Sequence, residues 1–188
     1  MEALAPWAEP VLITAEQLLR LPEDGWRYEL VEGSLVRMTP TGWKHGQTVS
    51  ALFRAVDRFV EDQRLGQVIP AETGFLISSE GHPDTVLAPD LAFIRAGREP
   101  DPGTEGFPRL APDLVVEVAS PSQGRTELGA KAQRWLSAGV RLVWVVLPEA
   151  RVVEVWRGTG IARIVSAEEE LSGEEILPGF VLSMRHLF

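Results

Sequence analysis

The feature that most constrains this chain is a single carboxylate inside an apolar strand. Leu114 to Ala119 reads Leu-Val-Val-Glu-Val-Ala, a β-branched run of the kind buried on both faces of a sheet. Glu117 interrupts it. A charge in such a strand is costly unless something compensates it, so the fold has to bring Glu117 a partner. Ser120-Pro121-Ser122 then stops the strand, and a helix is predicted over 126–138, closed by Gly139. On that helix Leu128, Lys131 and Trp135 recur on one stripe, which turns the lysine inward with the apolar residues and toward Glu117.

A second acid comes from upstream. Asp90 opens an apolar strand, Pro89 to Ile94. If this strand lies beside the one carrying Glu117, the two carboxylates approach. Like charges ~4 Å apart cost about 4 kcal/mol at an effective dielectric of 20, so either one of them takes a proton or both share a cation. Oxygen donors select a hard ion such as Mg²⁺ or Mn²⁺. Asp113 lies on the Glu117 face of its strand but about 13 Å away at ~3.3 Å per residue, too far to share that ion, and reads as a strand-opening residue beside Pro112.

The rest of the chain supplies a frame. Thr14 and Gln17 resemble a capping box ahead of a short helix over 15–21. Residues 26–38 read as a hairpin turning at Glu32-Gly33. Val49, Leu52, Phe53, Val56, Phe59 and Val60 mark an amphipathic helix from Lys44 to Asp62, with Gly66 as its stop. Strands are expected over 67–69, 74–77, 141–147, 151–156 and 161–165, with the segment 180–188 completing or covering the sheet. A loop dense in glycine, proline and charge spans 96–111. The order predicts an α/β fold, a mixed sheet flanked by helices with an N-terminal hairpin extension. Neither repeats nor a domain boundary is visible, so 1–188 reads as one domain, with 1–10 as a loose arm.

Composition trims the options. Cysteine is absent, which removes disulfides and thiolate chemistry. No apolar run approaches the ~20 residues of a membrane span, and the acidic start lacks the basic region of a signal peptide, so a cytoplasmic protein is expected. The net charge of −9 argues against nonspecific nucleic-acid binding as the main activity. It does not exclude a nuclease, since a bound cation reverses the field around an acidic site. Only Lys44 and Lys131 are lysines among 18 basic residues. A Ser120 nucleophile is rejected because no histidine lies nearby in sequence to activate it.

Pro89-Asp90, Glu117-Val-Ala-Ser-Pro-Ser122, Lys131 and Gly139-Val-Arg-Leu-Val-Trp-Val-Val-Leu-Pro148 together resemble the PD-(D/E)XK nuclease superfamily. Tyr28-Glu-Leu-Val-Glu-Gly-Ser-Leu-Val36, Lys44-His45-Gly46 and Leu177-Pro-Gly-Phe-Val-Leu-Ser-Met184 are similar to its bacterial restriction endonuclease-like family, so the resemblance spans nearly the whole chain. It implies a restriction endonuclease-like core, with one or two Mg²⁺ ions held by Asp90 and Glu117. The superfamily usually carries its lysine two residues after the glutamate, a slot filled here by Ala119. Lys131 fits a migration of that lysine to the following helix. Glu72, Glu29 and His45 are additional candidates for the same site.

The expected function is therefore Mg²⁺-dependent hydrolysis of DNA phosphodiesters, with Asp90, Glu117 and Lys131 as the catalytic set and a homodimer plausible for double-strand cutting. Two alternatives stand beside it. One is a non-catalytic nuclease-fold module for binding or dimerisation, favoured by the acidic surface and by Ala119. The other is a nuclease for RNA or branched DNA.

Overall fold

In the computed structural model the described residues are 11–120 and 123–188. The expected arm over 1–10 therefore lies outside them, as do Pro121 and Ser122. Thr14 does cap a short helix, α1 (Ala15–Leu19), through a reciprocal bond with Gln17. The hairpin β1 (Arg27–Val31) and β2 (Ser34–Met38) follows. Its two turn residues, Glu32 (φ 50°) and Gly33 (φ 77°), both adopt positive φ, as a two-residue turn matched to strand twist requires.

The long helix α2 (Trp43–Gln63) leads into β3 (Gly66–Pro70), β4 (Phe75–Leu76), β5 (Val86–Leu87) and β6 (Leu91–Arg95). It ends not at Gly66 but at Arg64, whose left-handed backbone turns its N–H back to Glu61 and Val60. Gly66 instead opens β3. Then come β7 (Leu114–Val118), α3 (Arg125–Ser137), β8 (Leu142–Leu147), β9 (Val152–Arg157), β10 (Gly160–Ser166), β11 (Glu170–Ser172), β12 (Val181–Ser183) and a closing 3₁₀ turn over Met184–His186.

The main sheet has the order β10-β9-β8-β7-β6-β3. Only β7 and β8 run parallel, which is why α3 has to cross between them. Strand alternation then sorts residues onto two faces. Leu91, Phe93, Leu114 and Val116 pack with Leu52, Val56 and Val60 of α2. Ala92, Ile94, Val115, Val143 and Val145 pack with Leu128, Ala132 and Trp135 of α3. A smaller sheet, β2-β1-β5-β4, holds the hairpin beside this core. Phe75 of β4 meets the Trp135 ring edge-on, with centroids 6.4 Å apart. The expected mixed α/β architecture with an N-terminal hairpin is thus the observed one, but the hairpin belongs to a second sheet that the strand spacing did not reveal.

Candidate active site

β6 and β7 are antiparallel with Leu91 opposite Val116. Asp90 lies one residue before this paired segment, and its carboxylate is close enough to Glu117 for the two charges to repel. The Asp90 N–H donates to the Val116 carbonyl at 3.1 Å. Its Oδ2 accepts the Val118 N–H at 2.7 Å. The aspartate is thereby fixed by both its backbone and its side chain against the strand that carries Glu117.

Glu117 is 3% exposed, and both its oxygens are engaged. Oε2 lies 3.0 Å from Lys131 Nζ, and Oε1 accepts the Trp135 indole N–H at 2.8 Å. Lys131 and Trp135 are one turn apart on α3, so a single helical face delivers both donors. The lysine is itself buried and spends each of its three N–H groups. Besides Glu117, it reaches Glu29 Oε1 at 2.8 Å and the Ala88 carbonyl at 3.3 Å. The Ala88 N–H closes the ring by donating to the same Glu29 oxygen at 2.8 Å.

From the first turn of α2, buried His45 brings Nε2 to 3.3 Å from Asp90 Oδ2. The cluster therefore gathers three carboxylates, Glu29, Asp90 and Glu117, around one ammonium and one imidazole. Positive charge is in deficit. Burial pushes the Glu117 carboxyl up to about 8; Lys131 opposes that rise, while Asp90 and Glu29 add to it. For Lys131, burial acts against the charged form, but Glu117 and Glu29 outweigh it and hold the ammonium well above its ordinary value.

Asp90, Glu117, Lys131, Glu29 and His45 are thus brought together. Glu72 is not among them: it occupies a turn with φ +80° and pairs at the surface with Arg27. Asp113 sits at the far end of β7, fully buried, where it holds Arg98 at 2.6 Å and accepts the Arg95 N–H at 2.9 Å. Its role is to tie the start of the 96–111 loop to the sheet.

Two contributors escaped the reading of the sequence. Trp135 looked like core packing alone, although a buried indole usually needs an acceptor, and Glu117 was the nearest unsatisfied one. Glu154 is the other. Across β7, β8 and β9 the register runs Glu117, Val145, Glu154, so Glu154 shares the α3 face. It is 1% exposed, pairs with Arg125 at the start of α3 and accepts the Trp156 indole N–H at 3.0 Å. The helix carrying Lys131 is therefore pinned at its first residue as well as through Trp135.

Among the described residues no three His, Asp or Glu side chains form a ready-made metal cage. That does not disqualify the site for Mg²⁺, which keeps several waters and is commonly held by one or two carboxylates plus substrate phosphate. Asp90 and Glu117 offer two such oxygen donors, and the surplus negative charge around them is the surplus a divalent cation would neutralise.

A mixed sheet with an aspartate held against the strand that carries a buried glutamate, and a lysine paired with that glutamate, defines a restriction endonuclease-like protein. The sequence over residues 15–185 matches the Uma2 family, described as "Putative restriction endonuclease", and the chain belongs to that nuclease family. Among solved structures it is similar to one from Anabaena variabilis described as "a putative nuclease belonging to DUF820". That match has a TM-score of 0.78 at 22% identity and covers 94% of this chain and 97% of the other, so the two share a fold. Among curated proteins none matches the sequence. No helix among the described residues is long and apolar enough to cross a membrane.

Proposed function

We propose that this chain is a divalent-metal-dependent endonuclease that hydrolyses phosphodiester bonds in DNA. The observation that carries the reading is the tethering of Asp90 to the strand that carries Glu117, in a cluster short of positive charge. Mg²⁺, or Mn²⁺ in its place, held by Asp90 and Glu117 would polarise the scissile phosphate and lower the pKa of the attacking water.

The chain's own residues do the rest. Asp90 is held for this role by the Val118 N–H, which leaves Oδ1 for a ligand. Trp135 fixes the plane of the Glu117 carboxylate. Lys131 brings a positive charge beside Glu117, suited to orienting the water and stabilising the negative charge on the phosphoryl oxygens as the bond to the leaving oxygen breaks. Its longest contact, to the Ala88 carbonyl, is the one it gives up to reach a phosphate oxygen. Glu29 keeps the ammonium in the cleft, and His45 of α2 sits against Asp90. Double-strand cutting by such a site calls for two copies of it, hence a homodimer.

One observation favours a second reading, a non-catalytic module that retains the fold: all three Lys131 donors are satisfied within the protein, as in a purely structural ion cluster. Incubation of plasmid and linear DNA with Mg²⁺ or Mn²⁺ separates the two. The nuclease reading expects cleavage by the wild type and its loss in Asp90→Asn and Glu117→Gln, with Mn²⁺ binding by calorimetry lost in parallel. Cleavage that survives both substitutions would overturn the assignment. Metal binding without cleavage of any nucleic acid would favour the module.

A further inference from the structure

The outer side of α2 borders an open groove of about 850 Å³ that runs to the C-terminal 3₁₀ turn. Trp43, Gln47, Ser50 and Arg54 recur along it at helical spacing, and His186 faces them. None of its lining residues is an acid, in a chain whose net charge is −9. A second groove of about 580 Å³ continues from it along α2, sharing Arg54 and His186, and there Asp57 and Glu61 enter the lining. The acid-free part is thus the part at the N-terminal end of α2.

At that end Trp43 is 80% exposed. A tryptophan left in water contributes nothing to the core, and its two faces are free for a flat partner. Arg54, five-donor and permanently charged, spends one N–H on Ser50 Oγ at 2.6 Å, which orients the guanidinium along the groove. Trp43 is also only two residues from His45, which touches Asp90. Residues two apart point to opposite sides of a helix, so the body of α2 separates the groove from the candidate active site.

We infer that this groove holds an unpaired nucleic-acid strand, with a base stacked on Trp43 and the sugar-phosphate backbone drawn along Arg54. Stacking on an exposed indole needs a base whose face is free, and a blunt duplex does not offer one there. The inference rests on the nuclease reading and sharpens its substrate class to single-stranded, flapped or branched nucleic acid.

The test measures fluorescence anisotropy of a labelled homopolymeric single strand and of a blunt duplex, in Mg²⁺, with the full chain carrying Asp90→Asn to prevent cutting. Adding Trp43→Ala is expected to weaken single-strand binding about tenfold and to leave the duplex unchanged, whereas Trp43→Phe retains most of the affinity. Adding Arg54→Gln should weaken it too and reduce the salt slope by about 0.7. Thermal melting controls for folding; Trp43 is exposed, so its midpoint should not move.

Single-strand affinity unaffected by Trp43→Ala overturns the inference, as does an equal loss for both substrates. Dissociation of a dimer by Trp43→Ala with unchanged nucleic-acid affinity also overturns it, and assigns the face to a second copy of the chain. Binding of neither probe overturns it as well. The nuclease reading fails separately: Trp43-dependent single-strand binding by a wild-type protein that cuts nothing would keep the groove and remove the catalysis.

Discussion

The Trp135 indole N–H donates to Glu117 Oε1 at 2.8 Å, on the carboxylate edge that Lys131 leaves open. A residue that would otherwise be ordinary core therefore sets the orientation of the acid at the centre of the site. Trp135→Phe keeps most of the packing against Phe75 but orphans a buried carboxylate oxygen. The expected cost is roughly 1–3 kcal/mol, read as a lower urea midpoint. Cleavage should fall by more than this loss of folded protein explains, because Glu117 is then free to rotate. An activity loss that disappears once the folded fraction is corrected for would confine Trp135 to packing.

Lys131 stands between Glu29 and Glu117, so its removal does two things at once. It takes away the positive charge that the proposed mechanism uses and leaves two buried carboxylates without their shared cation. Breaking a buried pair in this way typically costs about 3–5 kcal/mol. Lys131→Met alone should therefore destabilise the protein strongly, and its inactivity would be ambiguous. Combined with Glu29→Gln, it should regain part of the lost stability, measured by denaturant unfolding, while cleavage stays absent. Recovery of cutting in the double variant would show that Lys131 acts only by neutralising Glu29.

The contrast between these residues shows what was legible before the structure. Glu117 and Lys131 could be singled out because an apolar strand and helix spacing show which way each points, and Asp90 because it opens a strand that could lie beside the one carrying Glu117. Glu29 could be suspected only from its place in the hairpin, as a residue that could face the same cleft. Its arrival at Lys131 depends on the pairing of Leu30 with Val86 in a separate sheet, a contact between segments more than 50 residues apart that no local pattern encodes. Glu72 was misleading for the matching reason: a two-residue strand leaves it on a turn with positive φ, outside the site and within reach of Arg27. Glu154 went unseen because its relation to Glu117 is lateral, across three strands, and lateral register is not written in any one of them.

Two glycines make opposite predictions. Gly46 lies inside α2 with ordinary helical backbone and open space where a Cβ would go. Gly46→Ala should stabilise the protein by roughly 0.5–1 kcal/mol, seen as a melting point raised by about 1–4 °C. Gly66 has φ +149°, and a Cβ there would collide with the Ile94 backbone oxygen. Gly66→Ala should separate β3 from β6 and lower the melting point sharply. An unchanged midpoint in either variant would contradict the corresponding backbone geometry.

The raised proton affinity of Glu117 fixes the sign of a pH effect. Unfolded, this carboxyl titrates near 4.5; folded, at about 8. Between those values the folded protein binds more protons than the unfolded one, so stability must fall as pH rises. The contribution is whole below about 4.5, declines through the interval and is lost above about 8. Metal-free protein should therefore melt at progressively lower temperature from pH 5.5 to 8.5, and Glu117→Gln, which cannot ionise, should flatten part of that slope. Mn²⁺ held as proposed would compete with the proton for the same carboxylate, so its addition should restore stability most at the alkaline end. If the slope in the Gln variant matches the wild type, the pH sensitivity belongs to other groups and Glu117 is ionised throughout.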